Sequence, residues 1–179
     1  MGNETGVLLM AYGAAGSLDE VEPYLNDIRG GRPVSPSLVE DIKRRYSLMG
    51  GKSPLLDTTR QLASALETSL NRDLPPVTVY IGMRHWHPFI KDTVSQMAAD
   101  GIQKIIAICL TPYHSKLSVG AYIDKLNEGI AASGKSFSVQ TIESWNDHPA
   151  LIEALAEKVG EALERFPAEI RPKVPLVFT

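Results

Sequence analysis

The chain has 179 residues and a mass of 19.5 kDa, with 44% hydrophobic and 22% charged residues, as in a globular protein with one substantial core. The net charge of -3 argues against broad nucleic-acid binding, which requires a basic excess. A single cysteine, Cys109, excludes an internal disulfide, and no apolar run approaches the roughly 20 residues of a membrane span. The amino-terminal residues lack the basic and apolar regions of a signal peptide. We therefore expect a cytoplasmic protein with no nucleic-acid partner and no transmembrane segment.

The first predicted strand covers residues 6–13, which read Gly-Val-Leu-Leu-Met-Ala-Tyr-Gly. Because its residues are apolar on both alternations, we predict a strand buried on both faces, as at the centre of a parallel sheet. Gly13 permits a turn that a side chain would hinder, which leaves Tyr12 at the carboxyl end of the strand. Open α/β sheets bind their ligands at that end.

Three helices are predicted between this strand and the next. Residues 17–20, Ser-Leu-Asp-Glu, match a capping box that starts a helix running to about Ile28. Ser35 and Ser53 are each followed by proline, which is typical of an N-cap and a first helical position. The predicted buried faces comprise Leu38, Ile42 and Tyr46 in the second helix, and Leu55, Leu62, Leu66 and Leu70 in the third.

Strands and helices alternate through the rest of the chain. This alternation predicts one α/β domain over residues 1–179, with an open parallel sheet, helices on both faces and right-handed crossovers. The predicted strands are 77–83, 104–110, 137–143 and the beginning of one more at 175–179, and the predicted helices are 88–99, 118–132 and 149–166.

Polar and aromatic residues follow each of the first four predicted strands. If the sheet is parallel, all four sets meet at one edge, and together they indicate a cleft more strongly than any member does alone. The sets are Tyr12, then Arg84 to His87, then Thr111 to Ser115, and then Glu143 to Trp145.

Each of these residues also has an ordinary structural explanation. His85 and His87 are two apart and could share a metal ion, but without a third ligand at fixed spacing we favour hydrogen-bonded loop histidines. Tyr12 is either a functional phenol or a buried aromatic residue with a backbone partner. Arg29 and Arg45 are either solvated or a clamp for carboxylates, which the planar guanidinium suits.

Other patterns narrow the chemistry. Ser53 is explained as an N-cap, and Cys109, inside an apolar strand, as inert core. Residues 13–16, Gly-Ala-Ala-Gly, match neither common phosphate-binding glycine loop, and the chain has no Gly-x-Ser-x-Gly nucleophile motif. These patterns predict an α/β protein with a polar cleft at its strand ends.

Several motifs, in collinear order over essentially the whole chain, resemble the ferrochelatases. The most specific is Arg45-Tyr46 followed by Gly-Gly-Lys-Ser-Pro-Leu at 50–55. The others are Leu-Leu-Met-Ala-Tyr-Gly at 8–13, Ile-Arg-Gly-Gly-Arg-Pro at 28–33, Gly-Met-Arg-His at 82–85 with Pro-Phe-Ile at 88–90, Leu-Thr-Pro at 110–112 through Ser-Val at 118–119 to Tyr122, and Glu-Ser-Trp at 143–145.

The resemblance implies a chelatase-like, flavodoxin-like three-layer half, here the amino-terminal one of two that enclose a porphyrin cleft. It implies an enzyme that inserts ferrous iron into a porphyrin, with iron as substrate and no cofactor. A tyrosine at position 12 is similar to the coproporphyrin III branch of the family, whose product is Fe-coproporphyrin III in haem b biosynthesis. The resemblance implies that Tyr12 provides an axial oxygen ligand to iron. His85 is the implied catalytic candidate in the cleft. The residues implied to hold the macrocycle and its propionates are Arg29, Arg45, Tyr46, Ser53 and Tyr122.

In the family, the metal-handling histidine follows the strand that begins here at Pro175, and its partner glutamate lies in the second half. The sequence ends at Thr179, before either of them. We therefore expect the amino-terminal half of a coproporphyrin ferrochelatase, whose carboxyl-terminal half is absent from the chain. The alternatives are a half-size chelatase that dimerises with a second copy, like those of corrin synthesis, and a non-catalytic tetrapyrrole-binding module.

Overall fold

The computed structural model describes residues 4–73 and 75–177. These residues form two compact units that divide after Ser144. The first unit contains a four-stranded sheet of order β2-β1-β3-β4, in which every neighbouring pair is parallel. The α/β class and the open parallel sheet are thereby confirmed. The strands are β1 (Thr5–Ala11), β2 (Thr78–Met83), β3 (Lys104–Cys109) and β4 (Ser138–Ile142).

Five α-helices belong to the first unit and one to the second. None of the helices in the described part of the chain is long and apolar enough to cross a membrane. The helices are α1 (Val21–Ile28), α2 (Pro36–Leu48), α3 (Leu55–Asp73), α4 (Ile90–Ala99), α5 (Ala121–Ser133) and α6 (Pro149–Leu163), with a π-helical turn at Lys116–Gly120 and a 3-10 turn at Arg171–Lys173.

β1 is buried on both faces, as its sequence predicts, because helices cover both sides of the sheet. Leu8 and Met10 point into a core with α4 and α5, whereas Val7 and Leu9 point into a core with α3. Each fully buried side chain of this size contributes about 1.5–3 kcal/mol relative to exposure. The strongest apolar segment of the chain therefore fixes the centre of the sheet.

The first predicted helix starts later than expected. Ser17 does not cap α1, which begins at Val21 with Glu20 as an N-cap that makes no side-chain capping bond. The Glu20 carboxylate instead accepts hydrogen bonds from the Gly16 amide at 2.7 Å and from the Trp86 indole at 2.8 Å. Glu20 therefore bonds to Gly16, just before the predicted cap, and to the distant Trp86.

The other serine caps agree with the structure. The Ser35 hydroxyl accepts a hydrogen bond from the Leu38 amide, and Pro36 is the first residue of α2. The Ser53 hydroxyl accepts one from the amide of Leu55, the first residue of α3. α2 thus starts at its predicted proline, and α3 starts one residue after its own, Pro54.

Two leucines predicted for buried helix faces are exposed. α2 packs on α1 through Ile42 and Tyr46, and Val39 is the buried residue that shares this face at helical spacing. Leu38 is turned away from this face and is 37% exposed. In α3, Thr59 and Ala63 are buried and Leu62 is exposed, although Leu66 and Leu70 pack against the core as predicted.

The second unit contains α6, which begins at Pro149 as predicted. The imidazole of His148 is its N-cap and accepts a hydrogen bond from the Ala150 amide. The helix ends at Leu163 rather than at Phe166. Residues 175–177 do not form the predicted strand, and residues 178–179 of that prediction lie outside the described residues.

Candidate functional site

The carboxyl ends of the parallel strands bring the predicted polar residues to one edge of the sheet. The backbone amide of His85 donates to the Tyr12 carbonyl at 2.9 Å, which joins the segments after β1 and β2. The Ser144 hydroxyl donates to the Pro112 carbonyl at 3.2 Å, which joins the segments after β3 and β4. These contacts confirm that the polar strand ends meet at one edge.

Tyr12 presents its side chain at this edge and is 42% exposed. This exposure rules out the alternative of a buried aromatic residue. Its ring lies 4.7 Å from the His85 imidazole, with the two planes tilted by 54°. The guanidinium carbon of Arg84 lies 5.9 Å from the ring centre, within the range of a cation–π contact. The Tyr12 phenol is therefore accessible, and its ring is contacted by His85 and Arg84.

Arg84 also connects this edge to Tyr122. Its guanidinium carbon lies 5.7 Å from the centre of the Tyr122 ring, and its Nη1 donates to the Leu117 carbonyl at 3.2 Å. Tyr122 is only 2% exposed and belongs to the core beneath β1 and β3. Burial raises the pKa of the Tyr122 phenol, and the positive charge of Arg84 opposes that shift.

His85 is paired with a carboxylate from α1. Its Nδ1 lies 2.8 Å from Oδ1 of Asp27, and its side chain is only 11% exposed. Burial lowers the pKa of His85, the hydrogen bond to Asp27 works against this shift, and the charge of Arg84 adds to it. The neutral imidazole donates its Nδ1–H to Asp27, which leaves Nε2 as a proton acceptor.

His87 does not share a metal site with His85. Its ring packs edge-on against Phe89 at 4.6 Å and against Trp86 at 5.4 Å. Across residues 4–73 and 75–177, no group of three or more histidine, cysteine, aspartate or glutamate side chains could hold a metal ion. Of the two histidines, His85 is hydrogen-bonded as the sequence predicts for a loop histidine, whereas His87 packs against aromatic rings.

Tyr46 and Ser53 meet at Ala15, in the loop that follows Tyr12. The Ala15 amide donates to the Tyr46 hydroxyl at 3.3 Å, and the Ser53 amide donates to the Ala15 carbonyl at 3.4 Å. Tyr46 is buried, and burial raises the pKa of its phenol. Three residues proposed from the sequence, Tyr12, Tyr46 and Ser53, are thus connected through one short loop.

Arg29 and Arg45 are exposed, at the end of α1 and near the end of α2. Neither takes part in an ion pair among the described residues, whereas the neighbouring Arg44 pairs with Asp41 at 3.0 Å. Guanidinium groups without an acidic partner are available to bind carboxylates of a ligand. Arg29 and Arg45 thus differ from Arg44, which has an acidic partner.

A cleft of about 660 Å³ opens beside His85. Its volume falls within the usual range of small-molecule sites. His85 was predicted from the sequence, but Asp27, Lys91 and Lys125 were not. Asp27 is 58 residues from His85, and no local motif joins them. The charged or titratable residues lining the cleft are Asp27, Arg84, His85, Lys91, Lys125 and Glu128.

These features define an α/β protein whose polar and aromatic strand-end residues meet at one edge of a parallel sheet, beside a cleft. A family model described as Ferrochelatase matches residues 4–179. The chain belongs to the ferrochelatase family, as its motifs predict.

Curated relatives match along nearly the whole chain. A protein named ferrochelatase from Herpetosiphon aurantiacus is 38% identical over 180 residues, which cover 100% of this chain and 59% of that protein. A coproporphyrin III ferrochelatase from Oceanobacillus iheyensis is 37% identical over 174 residues, covering 96% of this chain and 55% of that protein. The protein of that name from Staphylococcus aureus is 37% identical over 179 residues, covering 99% and 58%. The chain therefore spans somewhat more than half the length of these relatives.

Proposed function

We propose that the protein inserts ferrous iron into coproporphyrin III to give Fe-coproporphyrin III in haem b biosynthesis, and that this chain supplies the porphyrin-binding surface. The observation that carries the proposal is the exposed phenol of Tyr12 at the carboxyl edge of the sheet, flanked by His85 and Arg84. Relatives named coproporphyrin III ferrochelatase support this choice of substrate. A cytoplasmic location stays a prediction from the sequence.

Tyr12 supplies the axial oxygen to iron in this proposal. Oxygen and nitrogen ligands suit ferrous iron and exchange readily. The backbone of Tyr12 is fixed by the His85 amide, while its side chain remains accessible. The phenol can therefore approach an iron atom at the centre of a macrocycle without a rearrangement of the sheet.

Arg29 and Arg45 bind propionates of the macrocycle. Coproporphyrin III carries four carboxylates, and the two guanidinium groups have no acidic partner among the described ion pairs. Tyr46 and Ser53 support the macrocycle in this proposal, because both are hydrogen-bonded to Ala15 in the loop after Tyr12. Tyr122 contributes from beneath, through its contact with Arg84.

The chemical step exchanges protons for iron. As iron bonds form to the pyrrole nitrogens, the two N–H protons of the free porphyrin must leave, one to a base that is neutral before the reaction and the other to solvent water. His85 has this property, because its pKa is lowered and its Nδ1 is committed to Asp27. Contacts with the peripheral carboxylates bend the macrocycle, so that the nitrogen lone pairs point out of plane toward iron.

Anaerobic absorbance spectroscopy tests this proposal on the 179-residue chain. Coproporphyrin III is added first and ferrous iron second. We expect a shifted spectrum of bound, unmetallated porphyrin, since the chain spans only part of its relatives. Rapid conversion to the metalloporphyrin would favour a half-size chelatase, which sedimentation would then have to show as a dimer. The absence of any bound porphyrin would refute the proposed function.

A further inference from the structure

The loop of residues 13–16, which joins β1 to the segment before α1, is held by side chains rather than by its own backbone. Three of its four residues are each hydrogen-bonded to a different side chain. The Tyr24 hydroxyl donates to the Gly13 carbonyl at 2.9 Å, the Ala15 amide donates to the Tyr46 hydroxyl at 3.3 Å, and the Gly16 amide donates to the Glu20 carboxylate at 2.7 Å.

Tyr24 makes the first of these contacts from inside the core. It is 8% exposed and lies on α1 in a cluster with Ala15, Val21 and Tyr46. Its ring meets Trp86 edge to face at 5.9 Å, with an angle of 82° between the planes. Burial raises the pKa of the Tyr24 phenol, so the hydroxyl keeps its proton and remains a donor.

The bond to Gly13 acts on the Gly13–Ala14 peptide group, one residue beyond Tyr12. Gly13 has φ of +92°, and an added Cβ would lie 2.8 Å from the Trp86 backbone nitrogen, so only glycine fits there. The Tyr12 carbonyl is itself bonded to the His85 amide. A buried carbonyl without a partner is costly, so the Tyr24 hydroxyl selects one orientation of the Gly13 peptide.

We propose that Tyr24 is a positioning residue for Tyr12. By holding the Gly13 carbonyl, it fixes the direction in which the chain leaves β1 and thereby the placement of the exposed Tyr12 phenol. The same loop carries the Ala15 contacts to Tyr46 and Ser53, so Tyr24 also aligns these residues with Tyr12. The functional role of the Tyr12 phenol rests on the proposed function. The effect of Tyr24 on the position of that phenol does not.

The test compares Tyr24→Phe with Tyr80→Phe. Both changes remove one phenolic hydroxyl and one hydrogen bond of nearly equal length, because the Tyr80 hydroxyl donates to Asp100 at 2.8 Å. Tyr80 pairs with Leu8 within the sheet, away from the loop. The chain has six tyrosines, so tyrosine-labelled NMR spectra contain few ring signals, and Tyr12→Phe identifies that of Tyr12.

In the ligand-free chain, we expect the Tyr12 ring signal to shift or broaden in Tyr24→Phe and to stay unchanged in Tyr80→Phe. An unchanged Tyr12 signal in both variants overturns the proposal. If Tyr24→Phe lowers the folded fraction, the hydrogen bond is tested in the wild-type chain by the exchange rate of the Tyr24 hydroxyl proton. A slowly exchanging Tyr24 hydroxyl proton is expected there, and a rapidly exchanging one contradicts the hydrogen bond.

A second readout uses Fe-coproporphyrin III. We expect Tyr24→Phe to weaken binding about three- to tenfold, which is the range of one net hydrogen bond, and to alter the spectrum of the bound iron. Tyr80→Phe is expected to bind like the wild type. Failure of the wild-type chain to bind the porphyrin refutes the proposed function, whereas equal binding by both variants, with a normal wild-type chain, refutes only the role of Tyr24.

Discussion

Nδ1 of His85 lies 2.8 Å from Oδ1 of Asp27, and this pair joins the end of β2 to the end of α1. Burial lowers the pKa of His85 below its ordinary 6.5, Asp27 raises it, and Arg84 lowers it further. Because the pKa in the folded state is the lower one, the unfolded chain binds more protons below pH 6.5. The contribution of His85 to stability is therefore lost as the pH falls from 6.5 through the folded pKa.

Two substitutions are predicted to move this pKa in opposite directions. Asp27→Asn removes a charge that favours the imidazolium, so the pKa of His85 falls further. Arg84→Met removes a charge that opposes it, so the pKa rises toward 6.5. NMR titration of the His85 ring protons measures both. Shifts of the same sign in the two variants would show that charge does not control this histidine.

Tyr12→Phe is predicted to separate porphyrin binding from iron ligation. The substitution removes the oxygen but keeps the ring that packs on His85 and Arg84. We expect affinity for iron-free coproporphyrin III to change by less than about threefold, while the spectrum of bound Fe-coproporphyrin III loses its oxygen-ligand features. Tyr113→Phe, a change at another exposed tyrosine, is the control. An identical iron spectrum in Tyr12→Phe and wild type would exclude the axial role.

Neighbouring residues of α2 are predicted to differ in their importance for stability. Val39 is 5% exposed, whereas Leu38 is 37% exposed. Val39→Ala should lower the free energy of unfolding by about 1–2.5 kcal/mol, because it leaves a cavity under α2. Leu38→Ala, although it removes more atoms, should cost less than about 1 kcal/mol. Urea denaturation of both variants measures the difference, and a larger loss for Leu38→Ala would contradict the observed helix face.

Cys109 is predicted to be unreactive in the folded chain. It is 1% exposed, and burial raises the pKa of its thiol to about 11. At pH 8 almost none of it is the reactive thiolate. Modification by a thiol reagent should therefore be slow in buffer and rapid in denaturant. Rapid labelling without denaturant would place Cys109 outside the core.

Much of the fold is predictable from the sequence because the periodicity of apolar residues is strong. β1 is apolar on both alternations and lies at the centre of the sheet, and Ser35 and Ser53 start helices as their Ser-Pro pairs indicate. The predicted capping box at Ser17 was wrong: the Glu20 carboxylate accepts from the Gly16 amide and from Trp86, which is 66 residues away. Local patterns cannot reveal such a competitor.

The location of the candidate site could be predicted from the sequence, but the contacts of its side chains could not. Parallel strands bring Tyr12 and His85 to one edge, and this follows from topology alone. The direction of each side chain depends on tertiary packing. The Tyr46 hydroxyl points to the Ala15 amide, and Asp27 pairs with His85, although no spacing in the sequence connects either pair.

The most direct test of the account is a titration of the wild-type chain with coproporphyrin III, beside Arg29→Ala, Arg45→Ala and Arg44→Ala. Arg44 is the matched control, because it is exposed on the same helix as Arg45 but is paired with Asp41. We predict saturable binding by the wild type and by Arg44→Ala, and affinity at least about tenfold weaker in each of the other two variants, as expected for lost charge-assisted hydrogen bonds. Absence of binding by the wild type, or equal losses in all three variants, would contradict porphyrin recognition through Arg29 and Arg45.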